Sequence, residues 1–170
     1  HYANSTSVRY SQLFRFKKEH GHYSNRGTSG IDGCTSTALG MSIHSDRENI
    51  LISGDIAFLY DVNALWNKLR PSNFKIIIIN NGGGNIFKLI DGPSPDDPLM
   101  AFQETPHDTD FGGIAQAHGI CYLKATNEAE LNKELKSFFS LREMCILEIE
   151  TESSVSPKVL KEMFKKLKSQ

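Results

Sequence analysis

The chain has 170 residues, 39% hydrophobic and 23% charged, enough for one well-packed domain and short for two. A formal net charge of −1 supplies no global attraction to nucleic acid or to an anionic membrane, so any anion recognition has to be local. Three cysteines, Cys34, Cys121 and Cys145, show neither CxxC nor zinc-finger spacing, and no apolar run or leader pattern suits a membrane span or secretion. A soluble cytoplasmic protein with inert thiols is expected.

The predicted elements alternate helix and strand. "SVRYSQLFRFKKE" (residues 7–19) sets Val8, Leu13 and Phe16 at an imperfect helical period, with a cap available among residues 4–7. "CTSTALGMSIHS" (34–45) is small and apolar, as a helix packed tightly on a sheet should be. "NILIS" (49–53) and "FKIIIIN" (74–80) are β-branched runs without alternation, which predicts parallel strands covered on both faces. Between them "DVNALWNKLR" (61–70) carries Val62, Leu65, Trp66 and Leu69 at helical spacing before Pro71, completing a βαβ unit. The segments "DFGGIAQAHG", "ICYLKA", "EAELNKELKSFFSL", "MCILEIE" and "SPKVLKEMFKKLK" continue the alternation. The fold class is therefore α/β with a mainly parallel sheet. Only residues 89–110, with Pro93, Pro95, Pro98 and Pro106, break the rhythm; such a stretch suits an active-site cover, a partner contact or a plain surface loop.

In an open α/β sheet, ligands bind beyond the carboxyl ends of the strands. Asp55 follows the first predicted strand and Asn81 the second, so their separation of 81 − 55 = 26 residues becomes adjacency in space. Two oxygen-bearing side chains and the carbonyls of the turn at residues 82–84 form a partial shell for a hard cation such as Mg²⁺, with a diphosphate as its natural third partner. Neither GxGxxG nor GxxxxGK[ST] occurs, which disfavours a dinucleotide fold and a P-loop. An Asp55 that only caps its helix, with a turn at 80–84 that only reverses the chain, accounts for the same residues. His20, His22, His44, His107 and His118 form no ligand spacing, and no GxSxG elbow is present, so no catalytic role falls to a histidine.

Gly54-Asp55, a βα segment and then Asn80-Asn81 resemble the cofactor motif of thiamine-diphosphate enzymes. "SNRGTSGIDGCTSTALG" (24–40), "GDIAFLYDVNAL" (54–65), "NNGGGNIF" (80–87) and the Asn-Ser-x-x-x-Arg element "NSTSVR" (4–9) strongly resemble one branch of that family. That branch is the 2-succinyl-5-enolpyruvyl-6-hydroxy-3-cyclohexene-1-carboxylate synthases of menaquinone biosynthesis. The resemblance covers roughly the first half of the chain. It implies a three-layer α/β/α thiamine-diphosphate-binding fold over residues 1–170, standing as the C-terminal domain of a larger enzyme. It implies further that Asp55, the Asn81 side chain and the Gly83 carbonyl hold Mg²⁺ against the diphosphate, that Ala57 offers a backbone amide, and that Ile31 wedges the cofactor into its bent form. Asn4, Ser5, Arg9 and Arg26 would receive the carboxylates of 2-oxoglutarate and of the intermediate derived from it, as suits a guanidinium fork. Ile86 and Phe87 would wall the site for isochorismate.

By the same resemblance the chemistry is the cofactor's. The full enzyme decarboxylates 2-oxoglutarate and adds the succinyl unit to isochorismate, with the activating glutamate on missing N-terminal domains and a second subunit completing the site. The chain alone is then expected to be inactive. Ile56 and Gly82 depart from relatives that carry Gly and a third Asn there. A noncatalytic cofactor-binding module and a sister 2-oxoacid decarboxylase or acetolactate-type synthase are the alternatives. If Asp55 is a metal ligand, Asp55→Asn is expected to leave the empty domain as stable as before or slightly more so, and if it is only a helix cap to change little, since asparagine caps nearly as well.

Overall fold

The apolar runs pair side by side. In the computed structural model, which describes residues 1–88 and 98–168, β1 (Asn49–Gly54), β2 (Phe74–Asn80), β3 (Cys121–Ala125) and β4 (Cys145–Glu150) form one sheet in the order β1-β2-β4-β3. Every pair is parallel, as strands without hydrophobic alternation require. Residues 1–3 extend the sheet beyond β1: Tyr2 bridges Ile52, and the Ala3 N–H donates to the Ile52 carbonyl at 2.9 Å.

The two faces of β2 are both covered. Ile76 and Ile78 are fully buried in one cluster with Leu51 and Ile146, roofed by α2 (Cys34–Ile43), α3 (Asp55–Leu59) and α5 (Phe111–Ala117) through Ala38, Leu39, Phe58, Phe111 and Ala115. Ile77 points the other way, into a cluster with Leu147, Cys121 and the Phe138 of α6 (Glu128–Ser140). The Asn127 side chain caps α6 by accepting the Glu130 N–H at 3.0 Å, and the Glu130 carboxylate reaches back to the Thr126 N–H at 2.8 Å. Along the β1–β2 half of the second face, α1 (Thr6–Ser11) and α7 (Ser156–Lys168) flank a groove floored by Ile52 and Ile79. The architecture is the expected three-layer α/β/α fold around a parallel sheet.

Two predicted helices are shorter than expected. α1 stops at Ser11, and Phe14 and Phe16 stand exposed beyond it. No side chain caps its start; Ser5 sits there at φ 71°, while the Asn4 amide donates to the Asn25 and Gly30 carbonyls at 2.7 and 2.6 Å. The helix expected over residues 61–70 is reduced to a 3₁₀ turn, Val62–Leu65, after α3 has ended at Leu59, and Trp66 is 75% exposed. The reason is local competition for backbone groups. The Asn67 side-chain Oδ1 takes the Leu69 N–H and Arg70 donates to the Leu65, Asn67 and Leu69 carbonyls, while at the start of the segment Asp61 is taken up by the Ser36 N–H and hydroxyl of α2 at 2.6 and 2.7 Å.

Candidate functional site

Gly54 ends β1 opposite Ile79 of β2, so the residues just past both strands stand side by side. Asp55, 2% exposed, opens α3 there. Its Oδ1 accepts the Ile56 N–H at 2.7 Å, and its Oδ2 accepts the Asn81 and Gly83 N–H groups at 3.2 and 2.9 Å. Three backbone amides thus fix the direction of the carboxylate. A carboxylate has about four acceptor positions, so one remains for a further partner.

The two consecutive asparagines divide the work, because successive side chains at a strand end point in opposite directions. Asn80 turns toward the sheet: its Nδ2 donates to Glu148 Oε1 at 2.7 Å and its Oδ1 accepts the Gly82 N–H at 3.0 Å. Glu148, buried on β4, also accepts a short bond from the Tyr122 hydroxyl. Burial, and then the neighbouring Glu148, push the Tyr122 pKa well above the usual phenol value. Asn81 turns into the cavity, where its Oδ1 is buried without a hydrogen-bond partner. Removing a carbonyl oxygen from water without a bond costs free energy, so its persistence points to a ligand.

The turn that follows is held by a strap. Gly83 sits at φ 154°, and a Cβ there would lie 2.7 Å from the Glu104 carbonyl oxygen, so a side chain does not fit. That oxygen accepts the Gly84 N–H at 2.6 Å, and the His107 N–H donates to the Gly82 carbonyl at 3.3 Å. The strap begins with α4 (Leu99–Glu104), a short helix within the stretch expected to lack regular structure; residues 89–97 of that stretch lie outside the described residues. An ion pair of 3.2 Å between Lys88 and Glu104 fastens it to the 3₁₀ turn Asn85–Lys88. It brings in Gln103, which no motif marks, and His107, to which the sequence assigns no role: Gln103 lines the cavity with its buried Oε1 unpartnered, and His107 sets Nε2 3.3 Å from Asp55 Oδ2.

A cavity of about 560 Å³ opens over these residues. Of the residues singled out in the sequence, Asn4, Ser5, Ile31, Asp55, Ala57, Asn81, Gly83, Ile86 and Phe87 line it. Ile31 also packs on Ala3, Cys34 and Ala57, so it belongs to a small apolar cluster and to the cavity wall together. Arg9 and Arg26 are not among the lining residues and are exposed; Arg26 reaches the site through Asn4, whose Oδ1 accepts its Nη1–H at 3.0 Å. The Gly83 carbonyl accepts the Asn85 N–H at 3.1 Å and keeps its second lone pair. Carboxylate, amide and carbonyl oxygens make a donor set for a hard, oxygen-seeking cation, and the unpartnered Asn81 Oδ1 fits that role.

Comparison with known proteins gives a consistent picture. Residues 4–149 match the family described as "Thiamine pyrophosphate enzyme, C-terminal TPP binding domain". Proteins named 2-succinyl-5-enolpyruvyl-6-hydroxy-3-cyclohexene-1-carboxylate synthase are similar to nearly the whole chain. The one from Flavobacterium psychrophilum is 45% identical over 97% of the chain and 30% of its own length. That from Porphyromonas gingivalis is 44% identical over 96% of the chain and 29% of its own length, and that from Bacteroides fragilis 37% identical over 99% and 31%. The chain thus spans about a third of the length of the curated relatives it matches. Among solved structures, the thiamine diphosphate-dependent 4-hydroxybenzoylformate decarboxylase of Rhodococcus jostii superposes with a TM-score of 0.66 at 22% identity, over 89% of this chain and 29% of that one. At that identity the likeness is one of fold.

Proposed function

The chain belongs to the family of C-terminal thiamine pyrophosphate-binding domains of thiamine pyrophosphate enzymes, and on that premise we propose that it is the cofactor-binding domain of a 2-succinyl-5-enolpyruvyl-6-hydroxy-3-cyclohexene-1-carboxylate synthase. In this reading it is one part of a longer, cytoplasmic, homo-oligomeric enzyme of menaquinone biosynthesis that uses 2-oxoglutarate and isochorismate. The relatives that carry this name at 37–45% identity support it. Asp55, Asn81 and the Gly83 carbonyl would hold Mg²⁺, and the cation would hold the cofactor diphosphate near the start of α3, where the Ala57 amide is available. Bound thiamine diphosphate supplies the carbanion-stabilising centre at which a 2-oxoacid loses CO₂.

This chain's residues bind and orient. Ile31 and the Ile86–Phe87 pair offer apolar wall, which excludes water from the space above the metal set. Asn4, held by two backbone carbonyls and by Arg26, offers a fixed polar rim. Arg26 and Arg9, free of the cavity wall, would meet substrate carboxylates at the rim as the remaining domains close over it. In the intact enzyme Arg26→Ala should weaken 2-oxoglutarate use by about 1.5–3 kcal/mol, the scale of a charge-assisted hydrogen bond. The isolated chain should release no CO₂ from 2-oxoglutarate, and sustained turnover by it would refute the division of labour between domains.

The observation that carries the reading is the buried, unpartnered Asn81 Oδ1 beside the amide-held Asp55. Calorimetric titration with thiamine diphosphate at several Mg²⁺ concentrations tests it. Asn81→Ala removes an oxygen that bonds nothing in the empty protein, so affinity should fall about ten- to a thousandfold while the melting temperature holds. Unchanged affinity with unchanged Mg²⁺ dependence would remove Asn81 from the metal set.

A further inference from the structure

His107 stands against the metal set, and its ring can be oriented from its bonds. Nδ1 accepts the Thr109 N–H at 3.2 Å, so it carries a lone pair, and the neutral imidazole must bear its proton on Nε2. That nitrogen faces Asp55 Oδ2 at 3.3 Å, short of hydrogen-bond geometry, and is buried without another partner. The ring is locked by an edge-on contact with Phe111 at 5.9 Å between centroids, and its backbone is tied to the Gly82 carbonyl. A buried N–H donor held within reach of a buried carboxylate but out of line with it is poised for a small movement of that carboxylate.

We propose that His107 is a positioning residue for the cation: its Nε2–H bonds Asp55 Oδ2 when the carboxylate turns to the metal. The strap over the glycine turn is thereby stabilised by the metal-bound cofactor. This rests on the cofactor reading above. Linkage follows from the arrangement, because the strap backbone already bonds Gly82 and Gly84 while the His107 side chain faces Asp55.

The test is calorimetric titration of the intact enzyme that contains this domain with thiamine diphosphate and Mg²⁺, for the wild type, His107→Phe and His107→Gln. Phenylalanine keeps the ring shape and removes the donor, so Mg²⁺-dependent affinity should fall about 10–100-fold, the usual effect of losing an outer partner of a metal ligand. Glutamine, whose amide N–H reaches the same distance, should restore most of it. Long-range ¹H–¹⁵N spectra of the wild type should show the Nε2–H tautomer with cofactor bound. Equal affinity for wild type and the Phe variant, equal loss in the Phe and Gln variants, or an Nδ1–H tautomer would each overturn the assignment of His107. Failure of the wild type to bind at any Mg²⁺ concentration would instead overturn the cofactor reading beneath it.

Discussion

The two ends of the sheet treat buried polar groups in opposite ways. At the amino ends of the strands every such group described has a partner. The Asn73 amide donates to the Ser42, Ser45 and Arg47 carbonyls at 3.0, 2.6 and 3.0 Å. Lys75, fully buried, donates to the Leu141 carbonyl at 3.0 Å, pairs with Glu48 at 3.8 Å and lies over the Phe138 ring. At the carboxyl ends, Asn81 Oδ1, Asn85 Nδ2, Gln103 Oε1 and His107 Nε2 are buried and unpartnered. A native fold leaves few buried polar atoms unsatisfied; of the five among the described residues, Asn81, Asn85 and Gln103 line one cavity, His107 stands beside its Asp55, and only Thr35 Oγ1, on α2, lies apart. One end is built for stability, while the other keeps bonding capacity for something that binds there.

The sharpest way to break this contrast is Asp55→Asn, because Asp55 belongs to both classes: satisfied by amides, yet one acceptor position short. The structure corrects the expectation that asparagine is harmless in the empty domain. Both carboxylate oxygens accept backbone N–H groups, so an asparagine NH₂ must face a donor whichever way it turns. Thermal unfolding should show a loss of about 1–3 kcal/mol. Titration should add a ten- to thousandfold loss of Mg²⁺-dependent cofactor affinity, about 1.4–4 kcal/mol. A variant that melts like the wild type would mean that the three amide bonds contribute nothing net.

Gly83→Ala comes next. A Cβ at φ 154° and 2.7 Å from the Glu104 oxygen has to push the strap away. The expected cost is about 1–3 kcal/mol in stability, accompanied by faster amide exchange at Gly84, whose N–H that oxygen holds. Asn73→Ala, at the other end, should lower stability by about 1–2 kcal/mol through unpaired carbonyls and leave cofactor affinity alone. If Asn73→Ala weakened the cofactor as much as Gly83→Ala does, the two ends would not be functionally distinct.

These contrasts also mark what could be read from the chain. The β2 boundaries, the βαβ unit and the adjacency of Asp55 and Asn81 were all legible, because a β-branched run and a parallel crossover leave little freedom in where strand ends fall. The helix predicted over residues 61–70 does not form: apolar spacing favours it, but Asn67 and Arg70 bond local backbone groups and Asp61 is taken up by Ser36 of α2. His107 carried no sequence signal. Its importance comes from a nonlocal fold-back that sets it beside Asp55, which precedes it by 107 − 55 = 52 residues. The separate tasks of Asn80 and Asn81 became visible only once strand geometry sent their side chains apart.

The smallest expected effect asks whether satisfaction or location marks function. Tyr122, Glu148 and Asn80 lie at the carboxyl end, yet they bond one another fully. If satisfaction is the criterion, Tyr122→Phe should cost about 1 kcal/mol of stability at neutral pH, through the lost bond to a buried carboxylate, and leave cofactor affinity within about twofold. The pH dependence gives a second signature. Burial and Glu148 raise the Tyr122 pKa in the folded protein above the ordinary phenol value of 10.0, so between the unfolded and folded values the native state holds the proton that the unfolded chain has released. Stability from this group is therefore complete below the unfolded pKa and falls as pH rises through that window. The phenylalanine variant has no such proton, so its deficit relative to wild type should shrink when unfolding is measured above pH 10. A loss of affinity beyond about tenfold with an unmoved melting temperature would show that nearness to the cavity, rather than an unpartnered atom, decides which residues serve the cofactor.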